Sequence, residues 1–322
     1  MLGALIAILI FLLASGWVYQ TVAERGDLKR YPPPGRLIDV GGRNLHLVCA
    51  GNGNTGPTVV IEAGSGDDSN QWRDVLNRVA AFAAVCSYDR AGLGWSDSAP
   101  AARTFADRAA DFSRLIERAA LRPPYILVGH SYGGYIVRLF ARDHPGDVAG
   151  VVLVEASEEG FAFQPAALAA ADKLRSRNLG RGVAARFGIL HLVATPFPEQ
   201  FRKIAGMPRH YPGPQALYLR ADRYFETADE MAAYHKVPPA MTVPGGFGSL
   251  GGLPLTVISR ADRDASTGEA TDPSWLAGQA RLLELSSNSL AVVASKSGHN
   301  VQDSEPGLIA EAIHRIWSAA RS

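Results

Sequence analysis

The chain opens on an uncharged apolar block, Leu2 to Tyr19, about 18 residues long. At ~1.5 Å per residue this suffices for one membrane-spanning helix. Beyond it the apolar residues come in short runs bounded by glycine, proline and polar residues. Such runs predict buried strands near 58–62, 83–88, 125–129, 150–155, 253–259 and 289–294. They alternate with amphipathic stretches, the last around Leu308–Ala319. This is the signature of a mostly parallel α/β sheet with right-handed crossovers and flanking helices. Ahead of it, Leu37–Val40 and Asn44–Cys49 predict a hairpin across Gly41-Gly42.

The interval from Ser157 to Gly252 is too long for a simple crossover and predicts a helical cap. Ala-rich helices are expected at 166–176 and 183–193, and an aromatic-bearing one around 214–235, with Pro/Gly breaks at 195–198, 206–213 and 238–252. Tyr218, Tyr224, Phe225 and Tyr234 would mostly pack the cap, with a share in lining an acyl pocket. The expected organisation is an anchor or signal segment at 1–22, a linker at 23–35 stiffened by Tyr31-Pro32-Pro33-Pro34-Gly35, a first core part at 36–156, the cap at 157–252 and a second core part at 253–322.

For the N-terminal block, an anchor and a cleaved signal compete. No basic segment precedes it, which favours the anchor, while Ala14-Ser15-Gly16 could serve as a cleavage site. Arg25, Lys29 and Arg30 follow it, and the positive-inside rule would then place the domain in the cytoplasm. The expected location is a single-pass membrane protein of open orientation. At 322 residues and 47% apolar, the chain can bury one large core plus an insertion. A net charge of +1 gives no reason to expect nucleic acid as a partner. No metal-ligand spacing and no dinucleotide fingerprint occurs, so neither a metal nor a cofactor is expected.

The chemistry concentrates at Gly129-His130-Ser131-Tyr132-Gly133, between the apolar run Tyr125–Val128 and the helical stretch from Tyr135. A G-x-S-x-G between strand and helix is a nucleophile elbow: the turn is so sharp that positions two before and two after the serine must lack side chains. Ser131 is the expected nucleophile and needs a base. Of eight histidines, His130 should point away from Ser131 and support it. His144 ends a helix, His46 falls in a strand, His191, His210 and His235 lie in the cap region, and His314 sits on the last helix. His299, in Ser297-Gly298-His299 just past the last strand, lies at the same carboxyl edge as the elbow and is the expected base. The orienting acid has three candidates: Glu155, ending Gly150–Val154, and Asp262 and Asp264, following Leu253–Ile258. A buried Glu155 would need a strong partner such as His299, whereas arginines flank both aspartates. For the oxyanion hole, Tyr132 N–H is the first donor, and Ser65 N–H, in Glu62-Ala63-Gly64-Ser65-Gly66, is the second, with Gly66 the near alternative.

Together with Tyr88-Asp89-Arg90-Ala91-Gly92-Leu93-Gly94-Trp95-Ser96-Asp97, these segments resemble in order and spacing the α/β-hydrolase superfamily, in its serine esterase, peptidase and perhydrolase branch. The resemblance covers residues 36–320 and implies that the Asp89–Ser96 stretch shapes a loop beside the site without acting in catalysis. The chain departs from the family at Arg263, where a Gly-x-x-Asp spacing is usual, and at Glu62-Ala63-Gly64, where many members have His-Gly. The resemblance implies a hydrolase acting on a small-molecule ester, or an amide, with a perhydrolase or a non-catalytic ligand-binding protein as alternatives. The family's usual strand order would also bring Cys49 and Cys86 close, as a disulfide or as two free thiols.

Overall fold

The structure, a computed structural model, describes residues 1–51, 56–100, 102–208 and 211–321. His210 lies outside the described residues. Eight strands form one sheet: β1 (Arg36–Asp39), β2 (Asn44–Ala50), β3 (Thr58–Glu62), β4 (Val85–Tyr88), β5 (Tyr125–His130), β6 (Val148–Val154), β7 (Leu255–Arg260) and β8 (Ser289–Ala294). Their order is β1-β2-β4-β3-β5-β6-β7-β8. Pairing is antiparallel from β1 to β2 to β4 and parallel from there on. The fold is thus the expected mostly parallel α/β-hydrolase sheet.

The central strands β3 and β5 are buried along their whole length, and β6 nearly so, which is why they read as continuous apolar runs. Successive side chains divide between two cores. Val60, Leu127, Val151 and Leu153 pack with α3 (Phe105–Arg118) and α4 (Gly133–Asp143), whereas Val59, Ile126, Val128 and Val152 pack with α2 (Arg73–Val79) and α12 (Pro306–Ala319). The predicted hairpin turns at Gly41 and Gly42, both at positive φ, with Asp39 Oδ1 accepting from both N–H groups. Cys49 and Cys86 face each other across β2 and β4, Cα to Cα 4.1 Å, and form a disulfide. The free-thiol alternative is therefore not what the fold builds.

The cap comprises α5 (Glu159–Ala162), α6 (Pro165–Arg186), α7 (Ile189–Ala194), α8 (Pro198–Ala205) and α9 (Ala221–Ala233). One 22-residue helix spans the whole of the first expected helix and the start of the second. Gly180 and Gly182 do not break it: a Cβ on Gly182 would stand 2.7 Å from the Phe225 ring, so that glycine admits α9 against α6. The break comes at Gly188, which adopts positive φ. Two helices, α10 (Pro273–Leu283) and α11 (Val301–Ser304), complete the second core part.

The N-terminal helix α1 (Leu2–Arg30) is longer than expected. Residues 23–30, expected as linker, are helical because Gln20, Glu24 and Asp27 share one face that docks on the cap. Gln20 Nε2 donates to Leu219 O (3.0 Å), Arg220 Nε donates to Glu24 Oε1 (3.0 Å), and His191 bridges Gln20 (2.8 Å) and Asp27 (3.0 Å). Only Tyr31–Gly35 remains as connector, and Trp95 Nε1 donates to Tyr31 O.

Candidate active site

Ser131 sits between β5 and α4 with φ +49°, the strained left-handed conformation of an elbow. A Cβ on Gly129 would meet Val137 at 2.6 Å, and one on Gly133 would meet the Glu62 carbonyl at 2.5 Å, so both glycines are sterically required. His299 Nε2 lies 3.0 Å from Ser131 Oγ, and its Nδ1 lies 3.1 Å from Glu155 Oε2. His130 Nε2–H donates to the His299 carbonyl (3.0 Å), fixing the loop that carries His299.

Glu155 follows β6 and also has positive φ, +42°. Its N–H donates to Ile258 O (2.7 Å), and the resulting bend swings the carboxylate under His299. Oε1 accepts from Arg260 N–H (2.9 Å) and Trp275 Nε1–H (3.2 Å). Complete burial would raise this carboxyl, but the hydrogen bond and charge of His299 and the Arg260 contacts outweigh it and hold it below its ordinary value. For His299, burial pulls the imidazole below its ordinary value against the opposing pull of Glu155. The ring is thus neutral at pH 7 and able to accept a proton. The alternative acids have other partners or none at the site. Asp264 accepts from Arg260 Nη1 (3.0 Å) and Ser266 N–H (2.8 Å), while Asp262 is exposed on the surface.

The Glu62–Gly66 loop, the candidate oxyanion loop, is held by residues not singled out from the sequence. Arg90 is buried beneath it: Nη1 donates to Glu62 Oε1 (2.6 Å) and Ala63 O (2.7 Å), Nη2 to Gly64 O (2.5 Å), and Nε to Glu230 Oε1 (2.7 Å). Glu230, fully buried on α9, accepts from Ser65 Oγ (2.7 Å) and Gly66 N–H (2.8 Å). Gly66 N–H is therefore committed, which removes the near alternative as an oxyanion donor. Among the described residues, neither Ser65 N–H nor Tyr132 N–H has a protein acceptor. Arg90 could have been found from its place in the Tyr-Asp-Arg string. Glu230 could not, because an acid on a charged cap helix reads as solvated.

Above these groups lies a cavity of about 480 Å³. Its floor carries Ser131, His299 and Ser65, and its far wall is apolar, with Ala167, Ala170 and Leu174 of α6. Of the four cap aromatics, Tyr234 lines the cavity, whereas Tyr218 and Tyr224 are buried in a separate cap core that Phe225 flanks.

The sequence profile of the alpha/beta hydrolase family matches residues 59–312. The chain belongs to this family. A relative, the uncharacterized protein YqjL of Bacillus subtilis, is 27% identical over 268 residues, 83% of this chain and 86% of its own. Among solved structures, the fold is similar to a putative lipase of Acinetobacter baumannii (TM-score 0.66, 15% identity, 94% of this chain and 96% of that one). It is also similar to a thermophilic esterase of Thermogutta terrifontis (TM-score 0.58, 19% identity, 89% of this chain and 98% of that one).

Proposed function

We propose that the chain is a serine hydrolase that cleaves a carboxylic ester through an acyl-enzyme. The observation carrying this reading is the unbroken hydrogen-bond line from Ser131 through His299 to Glu155, opening on a largely apolar cavity. In this reading Ser131 Oγ attacks the ester carbonyl while His299 Nε2 takes its proton. Glu155 keeps the Nδ1–H tautomer and stabilises the imidazolium. The N–H groups of Tyr132 and Ser65 hold the developing oxyanion, and the α4 N-terminus adds its dipole. His299 then protonates the leaving alcohol, and a water repeats the sequence to free Ser131. The apolar α6 wall suits an acyl chain better than a charged one. The helix α1 has the length and composition of a membrane span and would serve as a single anchor.

The test is fluorophosphonate labelling of the full chain in detergent, with turnover of p-nitrophenyl esters of increasing acyl length. Label on Ser131 together with turnover is the expected result, both lost in Ser131→Ala. Turnover that survives this substitution overturns the reading.

A further inference from the structure

We propose that the cap makes a second membrane contact: the edge formed by the C-terminal half of α6 with α7 and α8 rests on an anionic phospholipid bilayer. The inference rests on reading α1 as a membrane anchor.

Depth is the first argument. The cap meets α1 not only beyond its apolar block, at Glu24 and Asp27, but also inside it. A Cβ on Gly16 would stand 2.6 Å from Phe187 O, and one on Gly188 would stand 2.6 Å from the Tyr19 ring. A hydrocarbon core needs ~20 helical residues, which from Leu2 end near Thr21. At ~1.5 Å per residue, Gly16 and the α6–α7 junction packed on it lie about 7 Å inside that end. Trp17 and Tyr19, both exposed, mark the same level, where aromatic side chains favour the headgroup boundary.

The cap's surface chemistry around that junction is the second argument. Val183, Ile189, Leu192, Phe197 and Ile204 are 47–63% exposed on this edge, side chains that α6, α7 and α8 could have buried in the cap core beside Phe201 and Leu190. Residues 173–203 carry seven Lys/Arg and a single acid, Glu199. Lys173, Arg175, Arg177 and Lys203 are exposed. Apolar side chains among cations fit lipid tails beneath anionic headgroups. A second copy of the chain fits poorly, because a two-fold contact would set this positive edge against itself.

The test uses the full chain in phosphatidylcholine–phosphatidylglycerol vesicles, with a nitroxide on Leu192→Cys or Phe197→Cys. Leu9→Cys serves as the anchor reference and Glu117→Cys, exposed on α3, as the aqueous one. Collision with lipid-soluble oxygen is compared with collision with a water-soluble nickel chelate. The expected result is an oxygen-to-nickel ratio at 192 and 197 severalfold above that at 117, falling when phosphatidylglycerol is omitted. A ratio at 192 and 197 equal to that at 117, with Leu9 in lipid, overturns the cap contact and leaves the anchor standing. Labels shielded from both reagents would show a protein partner on the edge and also overturn it. An aqueous Leu9 would overturn the anchor reading itself. A ratio at 192 and 197 indifferent to phosphatidylglycerol overturns the anionic part of the proposal.

Discussion

Glu155→Gln should reduce turnover by about 10⁴, ~5.5 kcal/mol of transition-state stabilisation at 1.36 kcal/mol per decade. The reason lies in which amide atom can occupy which place. Oε1 receives two donors, Arg260 N–H and Trp275 Nε1–H, so the amide oxygen of glutamine must sit there. Its NH₂ is then forced to the position of Oε2, against His299 Nδ1. Two donors cannot face each other, so the ring shifts its proton to Nε2 and points it at Ser131, where it can accept nothing. Flipping the amide would instead leave two buried donors unpaired, at a cost of ~2–6 kcal/mol. The variant also loses the carboxylate that stabilises the imidazolium. The assay is kcat and kcat/KM on a p-nitrophenyl ester across pH, beside Asp262→Asn and Asp264→Asn, which should keep parent turnover. Residual activity in Glu155→Gln has a second signature. The Glu155 carboxylate raises the His299 pKa, so removing its charge should move the acidic limb of kcat/KM to lower pH. Turnover above roughly a tenth of the parent would refute the tautomer argument, as would silencing by an aspartate change alone.

Ser131→Ala should abolish turnover and probe labelling while leaving the melting temperature nearly unchanged, since both side chains are small at that turn; a melting curve beside the activity assay checks it. Glu230→Ala should leave Arg90 half-paired in a buried setting, losing ~3 kcal/mol and lowering the melting temperature by roughly 4–5 °C. It should also lower kcat more than it raises KM, because the Ser65–Gly66 backbone loses its brace. Cys49 and Cys86 should resist alkylation until the protein is reduced, and a C-terminal alkaline phosphatase fusion should be active, placing the domain on the oxidising side of the membrane despite Arg25, Lys29 and Arg30.

Steric necessity made some of this site legible in the sequence. The elbow is written in Gly129 and Gly133, because a Cβ at either would clash, and the strand before it is apolar because both faces are covered. His299 followed from topology, as the histidine placed at the carboxyl edge beyond the last strand. The acid stayed divided among three carboxylates because strand ends alone do not say which side chain turns inward. The positive φ that turns Glu155 toward His299 has no mark in its residue type. The same holds where a tertiary partner decides a local conformation. The charges in residues 23–30 suggest a solvated linker until His191 and Arg220 are set opposite them. Two helices are expected on either side of Gly180 and Gly182, yet α6 runs through both, with Phe225 filling the space that Gly182 leaves. Acids on α9 look solvent-facing until Arg90 and Arg108 come up from beneath.

The bond from Glu230 to Ser65 and Gly66 bears on how the protein can move and how it can be re-engineered. Helix α9 is bolted to the core along its length: Arg223 to Asp68, Glu226 to Arg108, Asp229 to the Arg103 backbone, and Glu230 to Arg90. A cap that swung open on α9 would drag the Ser65–Gly66 loop with it and disturb the floor of the cavity it uncovered. This part of the cap is a fixed wall rather than a hatch, so any opening of the cavity has to come from the α6 side. For the same reason the cap is not an exchangeable module. A chimera that replaced α9 with a foreign helix would strand Arg90 and slacken the loop, even with Ser131, His299 and Glu155 untouched.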